Sequence, residues 1–194
     1  MLYEYLAIIP PPAFVCSSIM NLKQEGEANH NWNTATLSKA HITLSNFIQP
    51  LSLNDIIVNN YERLAAVASP FKIHLSGFGH FSTHTIYVRL IEDKKVYALA
   101  NNIKSFTKAV FKKVPNYPPY IMSIPHLTIA KGLREKDFFE AWPIWEKKDY
   151  HAQFNATQIR LLRRPYSNVL QNYEIIGDFP FTGLGILDSQ LQLF

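Results

Sequence analysis

Cysteine is almost missing from this chain. Cys16 stands alone among 194 residues, which excludes an internal disulfide and fits a reducing compartment. Nothing near it in sequence marks an activating partner, so it reads as a small buried side chain on the first helix. No apolar run approaches the length that spans a bilayer, and no membrane partner is expected. Met1-Leu2-Tyr3-Glu4-Tyr5 lacks a basic opening and Pro10-Pro11-Pro12 interrupts the apolar run that follows, so a secretory leader is not expected and the reading is cytoplasmic. Metal-ligand spacings are lacking as well. His74, His80 and His84 lie close in sequence but match no familiar zinc pattern, so neither a metal nor another cofactor is expected. Charge is sparse, at 18% of residues against 47% hydrophobic, which excludes a disordered chain. The net charge of +4 favours anionic over cationic partners and is compatible with RNA or nucleotides.

What is present is a short pattern that occurs twice. Ala40-His41-Ile42-Thr43-Leu44 and Pro125-His126-Leu127-Thr128-Ile129 both read His-aliphatic-Thr-aliphatic, a little under half the chain apart. In a strand, side chains alternate between faces, so His and Thr share one face while the aliphatic residues bury on the other. Each copy then presents one imidazole and one hydroxyl on a strand anchored by core contacts. A two-fold internal repeat, each half giving one strand to a shared site, would produce this spacing.

Around the two motifs, Tyr5 to Ile9 reads as a buried strand, and Pro11 and Pro12 suit the first turn of a helix carrying Val15, Ile19 and Leu22. That helix is expected to fade by Gly26, with residues 25–36 forming an Asn-rich loop. His30 and Trp32 in that loop are read as local packing or as a substrate-contacting flap. The first motif strand runs from about Lys39 to Phe47, followed by a helix that Asn54 or Asp55 can cap and whose stripe is Ile57, Tyr61, Leu64 and Ala68. Phe71 to Leu75 and Thr85 to Leu90 read as hairpin partners, with the glycines of Gly77-Phe78-Gly79 suggesting a bulge or a close backbone approach. Val96, Leu99, Ile103, Phe106 and Val110 form an amphipathic stripe whose lysines, Lys112 and Lys113 included, decorate a solvated face. A Pro-rich loop from Pro115 feeds the second motif strand, and Phe138, Trp142 and Trp145 mark a helix that Pro143 begins, kinks or breaks. Gln158 to Leu162 and Asn172 to Ile176 read as strands about a turn at Pro165 to Asn168, and residues 183–194 as a loosely held tail. The result is a single α+β domain, duplicated and two-lobed, with halves at about 1–92 and 93–182.

The paired motifs, His41/Thr43 and His126/Thr128, resemble the signature of the two-histidine phosphoesterase superfamily, which includes bacterial 2′-5′ RNA ligases and cyclic nucleotide phosphodiesterases. The resemblance covers essentially the whole chain and includes the Gly-aromatic passage into the central hairpin. It implies antiparallel sheets lining a central cleft with helices outside, and a monomer acting on RNA or a nucleotide with a cyclic or 2′-linked phosphate. One His would serve as general base and the other as general acid on opposite sides of phosphorus, with Thr43 and Thr128 donating to the non-bridging oxygens. Lys131 matches a position where these enzymes often carry a cation. Strict alternation puts it on the face opposite His126, so it needs a bulge to reach phosphate. Arg163 and Arg164, beside a Tyr166 that could stack a base, are read either as a phosphate grip or as surface salt-bridge residues, and Phe47 as a nucleobase wall or as core. A non-catalytic RNA- or nucleotide-binding module using the same cleft is the alternative.

Overall fold

The computed structural model describes residues 1–30, 32, 38–91, 94–111, 114, 117–167 and 171–184. β1 (Leu2–Ile9) ends at Pro10, and α1 (Ala13–His30) starts directly after the prolines, the Cys16 N–H donating to the Pro12 carbonyl at 3.0 Å. β2 (Ile42–Pro50) carries the first motif and passes through one 3-10 turn (Leu51–Leu53) into α2 (Asn54–Val67). β3 (Phe71–Phe81) and β4 (Thr85–Ile91) form the hairpin, and α3 (Lys94–Val110) follows. The short β5 (Tyr120–Ile121) precedes β6 (His126–Lys131), which carries the second motif, and α4 (Glu135–Trp145) holds Pro143 inside its last turn. β7 (His151–Ala156), β8 (Gln158–Pro165) and β9 (Glu174–Pro180) close the chain.

Among the described residues the nine strands form one antiparallel sheet in the order β7-β3-β4-β6-β2-β1-β8-β9, with β5 beside β2. Two four-stranded halves meet where Ile42 of β2 pairs with Leu127 of β6. Past that pair the strands part, and β5 lies along β2 instead, with Ser45 opposite Ile121 and Asn46 opposite Tyr120. The halves of the sheet are not the halves of the sequence. β1 and β2 sit with β8 and β9, while β3 and β4 sit with β6 and β7, so a cut near residue 92 leaves strands of each half-sheet on both sides.

One face of the sheet carries the core. Ile9, Ile42, Leu44, Leu127 and Ile129 are fully buried there. Phe47 stacks on Tyr5 at 5.4 Å and meets Phe111 at 4.3 Å, and the Tyr61 hydroxyl of α2 lies 2.7 Å from Ser45 Oγ. Phe47 is therefore core, and the nucleobase-wall reading of it does not hold. On the other half, Trp145 of α4 packs against Phe78 and Trp32.

Several local expectations change. α1 does not fade at Gly26 but runs to His30, and the Trp32 ring occupies the space a Cβ on Gly26 would need. That glycine is a packing notch, and Trp32 is buried in the core rather than set in a surface flap. Asn54 does not cap α2. Its Oδ1 accepts from Arg163 Nη1 at 2.7 Å and from the Tyr5 hydroxyl at 3.4 Å. The C-terminal part holds three strands rather than two, and β3 continues through both glycines. Lys112, Lys113, Asn168 and residues 185–194 lie outside the described residues.

Phe47→Ala is expected to destabilise the fold by roughly 3–5 kcal/mol, the cost of emptying a buried aromatic site. Denaturant unfolding measures it. A loss below about 1 kcal/mol would mean that the ring is not a core element.

Candidate active site

The seam between the half-sheets places the two motifs face to face. Antiparallel pairing of Ile42 with Leu127 sets His41 level with Thr128, and Thr43 level with His126, one residue to either side. Ile42, Leu44, Leu127 and Ile129 are fully buried behind, while His41, Thr43, His126 and Thr128 are half-buried on the opposite face. Imidazole and hydroxyl thus face hydroxyl and imidazole across one seam.

Each motif strand also carries a bulge at the same place. Ile8 pairs with Thr43 but Ala7 pairs with Ser45, leaving Leu44 as the extra residue. Tyr87 pairs with Thr128 but Ile86 pairs with Ala130, leaving Ile129 as the extra residue. A bulge reverses the alternation beyond it. Lys131 consequently pairs with Thr85, which shares a face with Tyr87, and so lies on the same face as His126. Strict alternation misplaces Lys131, and the bulge puts it back beside the imidazoles. The equivalent residue of the first motif is Asn46, which donates to Glu4 Oε1 at 2.9 Å.

The imidazoles are oriented alike. His41 Nδ1 lies 2.8 Å from the Lys39 carbonyl and His126 Nδ1 lies 2.8 Å from the Ile124 carbonyl, each two residues back. A carbonyl only accepts, so Nδ1 carries the hydrogen and Nε2 is left to exchange a proton in the cleft. Burial pushes both imidazoles below the ordinary value, against the smaller opposing pull of those carbonyls. His41 is lowered further by the charges of Lys23 and Lys131 and by His126. Burial thus favours the neutral form of both rings in the free protein.

Lys23 is a residue that the sequence reading missed. It is 2% exposed on α1, and its Nζ donates to the Ser38 carbonyl at 2.6 Å and to Ser38 Oγ at 3.1 Å. Burial, with the charge of Lys131 added, pushes its ammonium down to about 8. The signal was present in the stripe Val15, Ile19, Lys23 and Gly26, where a lysine occupies a core position at helical spacing.

Other candidates lie elsewhere. Arg163 pairs with Tyr5, shares its helix-covered face, and binds Asn54 and Glu174 there, so its guanidinium points away from the cleft. The structural salt-bridge reading holds for it. Tyr166 donates its N–H to the Leu2 carbonyl and stacks edge-on to Tyr117. Leu2 is six residues along β1 from Ile8, the partner of Thr43, so Tyr166 stands about 20 Å from the seam. His80 packs on Phe138 and Trp142, and His84 Nδ1 meets Thr85 Oγ1 at 2.8 Å. Among the described residues no three carboxylate, imidazole or thiol groups converge as metal ligands. Phe81 and Tyr87, neither singled out from sequence, pack on His126 at 4.8 and 5.1 Å between ring centroids.

The family model of the 2′-5′ RNA ligase superfamily matches residues 11–167. In fold, the chain is similar to TT0787 of Thermus thermophilus, with a TM-score of 0.68, 13% identity and coverage of 93% of this chain and 98% of that one. E. coli LigT complexed with 3′-AMP gives a TM-score of 0.65 at 12% identity, over 94% and 99%. Usb1 of Kluyveromyces marxianus gives 0.53 at 11% identity, over 90% and 97%. No curated protein matches the chain in sequence. No described helix is long and apolar enough to cross a membrane.

Replacing Lys23 with Met removes one of the charges that depress His41. The His41 pKa should rise in an NMR titration of the imidazole resonances while that of His126 stays in place. A His41 value that is unmoved, or that falls, would show that Lys23 does not act on this ring.

Proposed function

The chain belongs to the 2′-5′ RNA ligase superfamily, and from that premise we propose that it is a metal-independent phosphoesterase that opens a 2′,3′-cyclic or 2′-5′ phosphodiester of RNA or a nucleotide. The observation that carries this reading is the mirrored seam, in which His41 stands level with Thr128 and Thr43 with His126, each imidazole anchored through Nδ1 to the carbonyl two residues back. In-line displacement at phosphorus needs a base on one side and an acid on the other, and two imidazoles on opposed strands meet that need. Water loses a proton to one Nε2 as its oxygen bonds to phosphorus. The bond from phosphorus to the ribose oxygen breaks, and that oxygen takes the Nε2 proton of the other imidazole. A phosphomonoester is left, and the two histidines have exchanged protonation states. Thr43, Thr128 and Lys131 are assigned to the non-bridging oxygens, where negative charge gathers.

Lys23 and Lys131 add to burial in holding His41 neutral, whereas burial is what lowers His126. This asymmetry favours His41 as the base and His126 as the acid. In LigT structures the bound molecules are 3′-AMP, NADP+, ATP and phosphate, and a phosphate-bearing nucleotide is the ligand carried over to this cleft. The binding-only module is the competing reading. It would bind nucleotide phosphates more tightly as pH falls and would form no product.

Screening the protein against 2′,3′-cyclic nucleotides, RNA ending in a cyclic phosphate and 2′-5′ oligonucleotides tests the reading, with turnover expected on at least one and retained after exhaustive chelation. Activity restored specifically by zinc or manganese would overturn the metal-independent mechanism. His41→Ala and His126→Ala should each abolish most turnover with the fold intact, and normal activity in either variant removes that residue from the mechanism. Thr43→Ala and Thr128→Ala should each lower kcat about 10²- to 10³-fold, as for a lost oxyanion donor.

The pH dependence has a definite sign. Both imidazoles lie below the ordinary value in the free protein, so the bell of kcat/KM should be centred on the acid side of that value, its limbs belonging to the coupled pair. A bound phosphoryl anion favours imidazolium and moves the limbs of kcat upward. A flat profile across the histidine range, with chemistry rate-limiting, would contradict acid–base roles for the pair.

A further inference from the structure

The pseudo-two-fold symmetry of the seam breaks on one side. Across from Thr43 and His41 on β1 stand Ile8 and, one residue past the Ile9–Ile42 pair, Pro10. Across from Thr128 and His126 on β4 stand Tyr87 and Arg89. The β1 flank next to His41 is thus apolar, whereas the β4 flank next to His126 carries an aromatic ring and a guanidinium.

β3 is shaped to receive those two side chains. Gly77 has a φ of +60° and sits where a Cβ would come within 2.8 Å of Arg89 Nη2. A Cβ on Gly79 would lie 2.7 Å from the Tyr87 ring. Both long side chains lie down across a strand that glycine has cleared for them, and the bulge between Leu75 and Phe78 opens the strand at that point. Arg89 is exposed, and none of the ion pairs among the described residues involves it. On the other half of the sheet, Arg160 and Arg164 are held by Asp178 and Glu4. A planar guanidinium lying over a glycine and outside those ion pairs is suited to a phosphate.

We propose that Arg89, laid over Gly77 and next to Tyr87 on the cleft face of β4, forms a subsite for a second phosphate of the substrate, next to the phosphate that reacts at the histidines. The proposal rests on the phosphoesterase reading of the cleft and adds to it a substrate class, one that bears two phosphates rather than one. β4 lies about 5 Å from β6 and β3 about 10 Å, so the guanidinium stands roughly one nucleotide step from the seam. Phe81, 4.4 Å from Tyr87 between ring centroids, offers a face on which the intervening nucleoside can stack. The second phosphate is either a terminal 5′-phosphate or the next phosphodiester of an RNA chain, and the chemistry at Arg89 is the same.

Calorimetric binding of three unreactive ligands separates the cases. Adenosine 3′-phosphate carries one phosphate, adenosine 3′,5′-bisphosphate adds a terminal phosphate, and the dinucleotide ApAp adds a phosphodiester. The wild-type protein should bind at least one of the two-phosphate ligands about 10-fold or more tightly than adenosine 3′-phosphate, and the identity of that ligand names the source. In Arg89→Gln, an exposed position where folding is not at stake, that preference should fall to within about twofold. No preference in the wild-type protein, no binding of any of the three, or an equal loss on all three in Arg89→Gln would overturn the subsite. Turnover of the matching 2′,3′-cyclic ligands is read separately, so a protein that shows the Arg89-dependent preference without forming product refutes the phosphoesterase reading alone.

Discussion

One residue pair holds the arrangement together: Ile42 across from Leu127, both fully buried, the only pairing of β2 with β6 among the described residues. Antiparallel register is symmetric about such a pair, so whatever flanks it on one strand meets the equivalent flank on the other. Two copies of His-aliphatic-Thr placed about that point become a closed set of four polar groups. The single pair also lets the strands part beyond the seam, with β5 taking the vacated edge of β2. A longer ladder would have brought the two half-sheets flush, and the cleft would be narrower.

The bulge after each threonine is the second constraint. By setting two successive residues on the core face, Leu44 with Ser45 and Ile129 with Ala130, it gives each motif an additional buried residue, and it turns the fifth residue after each histidine back toward the cleft. At that position the copies diverge, with Lys131 on one side and Asn46, tied to Glu4, on the other. Divergence continues outward, where Arg89 and Tyr87 face Pro10 and Ile8. A symmetric pair of imidazoles thereby sits in an asymmetric electrostatic frame. Burial lowers both imidazoles, which favours their neutral forms in the free protein.

Much of this was legible in the residues themselves. The two motifs, their alternation and the apolar stripes of α2 and α3 follow from periods of 2 and 3.6, which are local. The elements that were misread share a cause, namely that a distant side chain decided a local feature. Gly26 looked like a helix end until Trp32 filled its notch. Asn54 looked like a cap until Arg163 and Tyr5, far away in sequence, took its carbonyl. Lys23 carries no local mark of its role, because its hydrogen-bond partner Ser38 lies just before the first motif rather than on its own helix.

By itself, the sequence determined the identity of the four polar groups at the seam and the faces they share, since His, Thr and their aliphatic neighbours alternate in any strand. It also determined the family, which the paired motifs carried without help from the fold. Only the tertiary structure decided that β1 and β2 sit with β8 and β9, that the two motifs are level across a seam, and that Lys131 joins them while Arg163 turns away. Register, bulges and strand order depend on contacts between residues distant in the chain, and no local pattern of side chains encodes the one-residue shift that moves a lysine from one face of a sheet to the other.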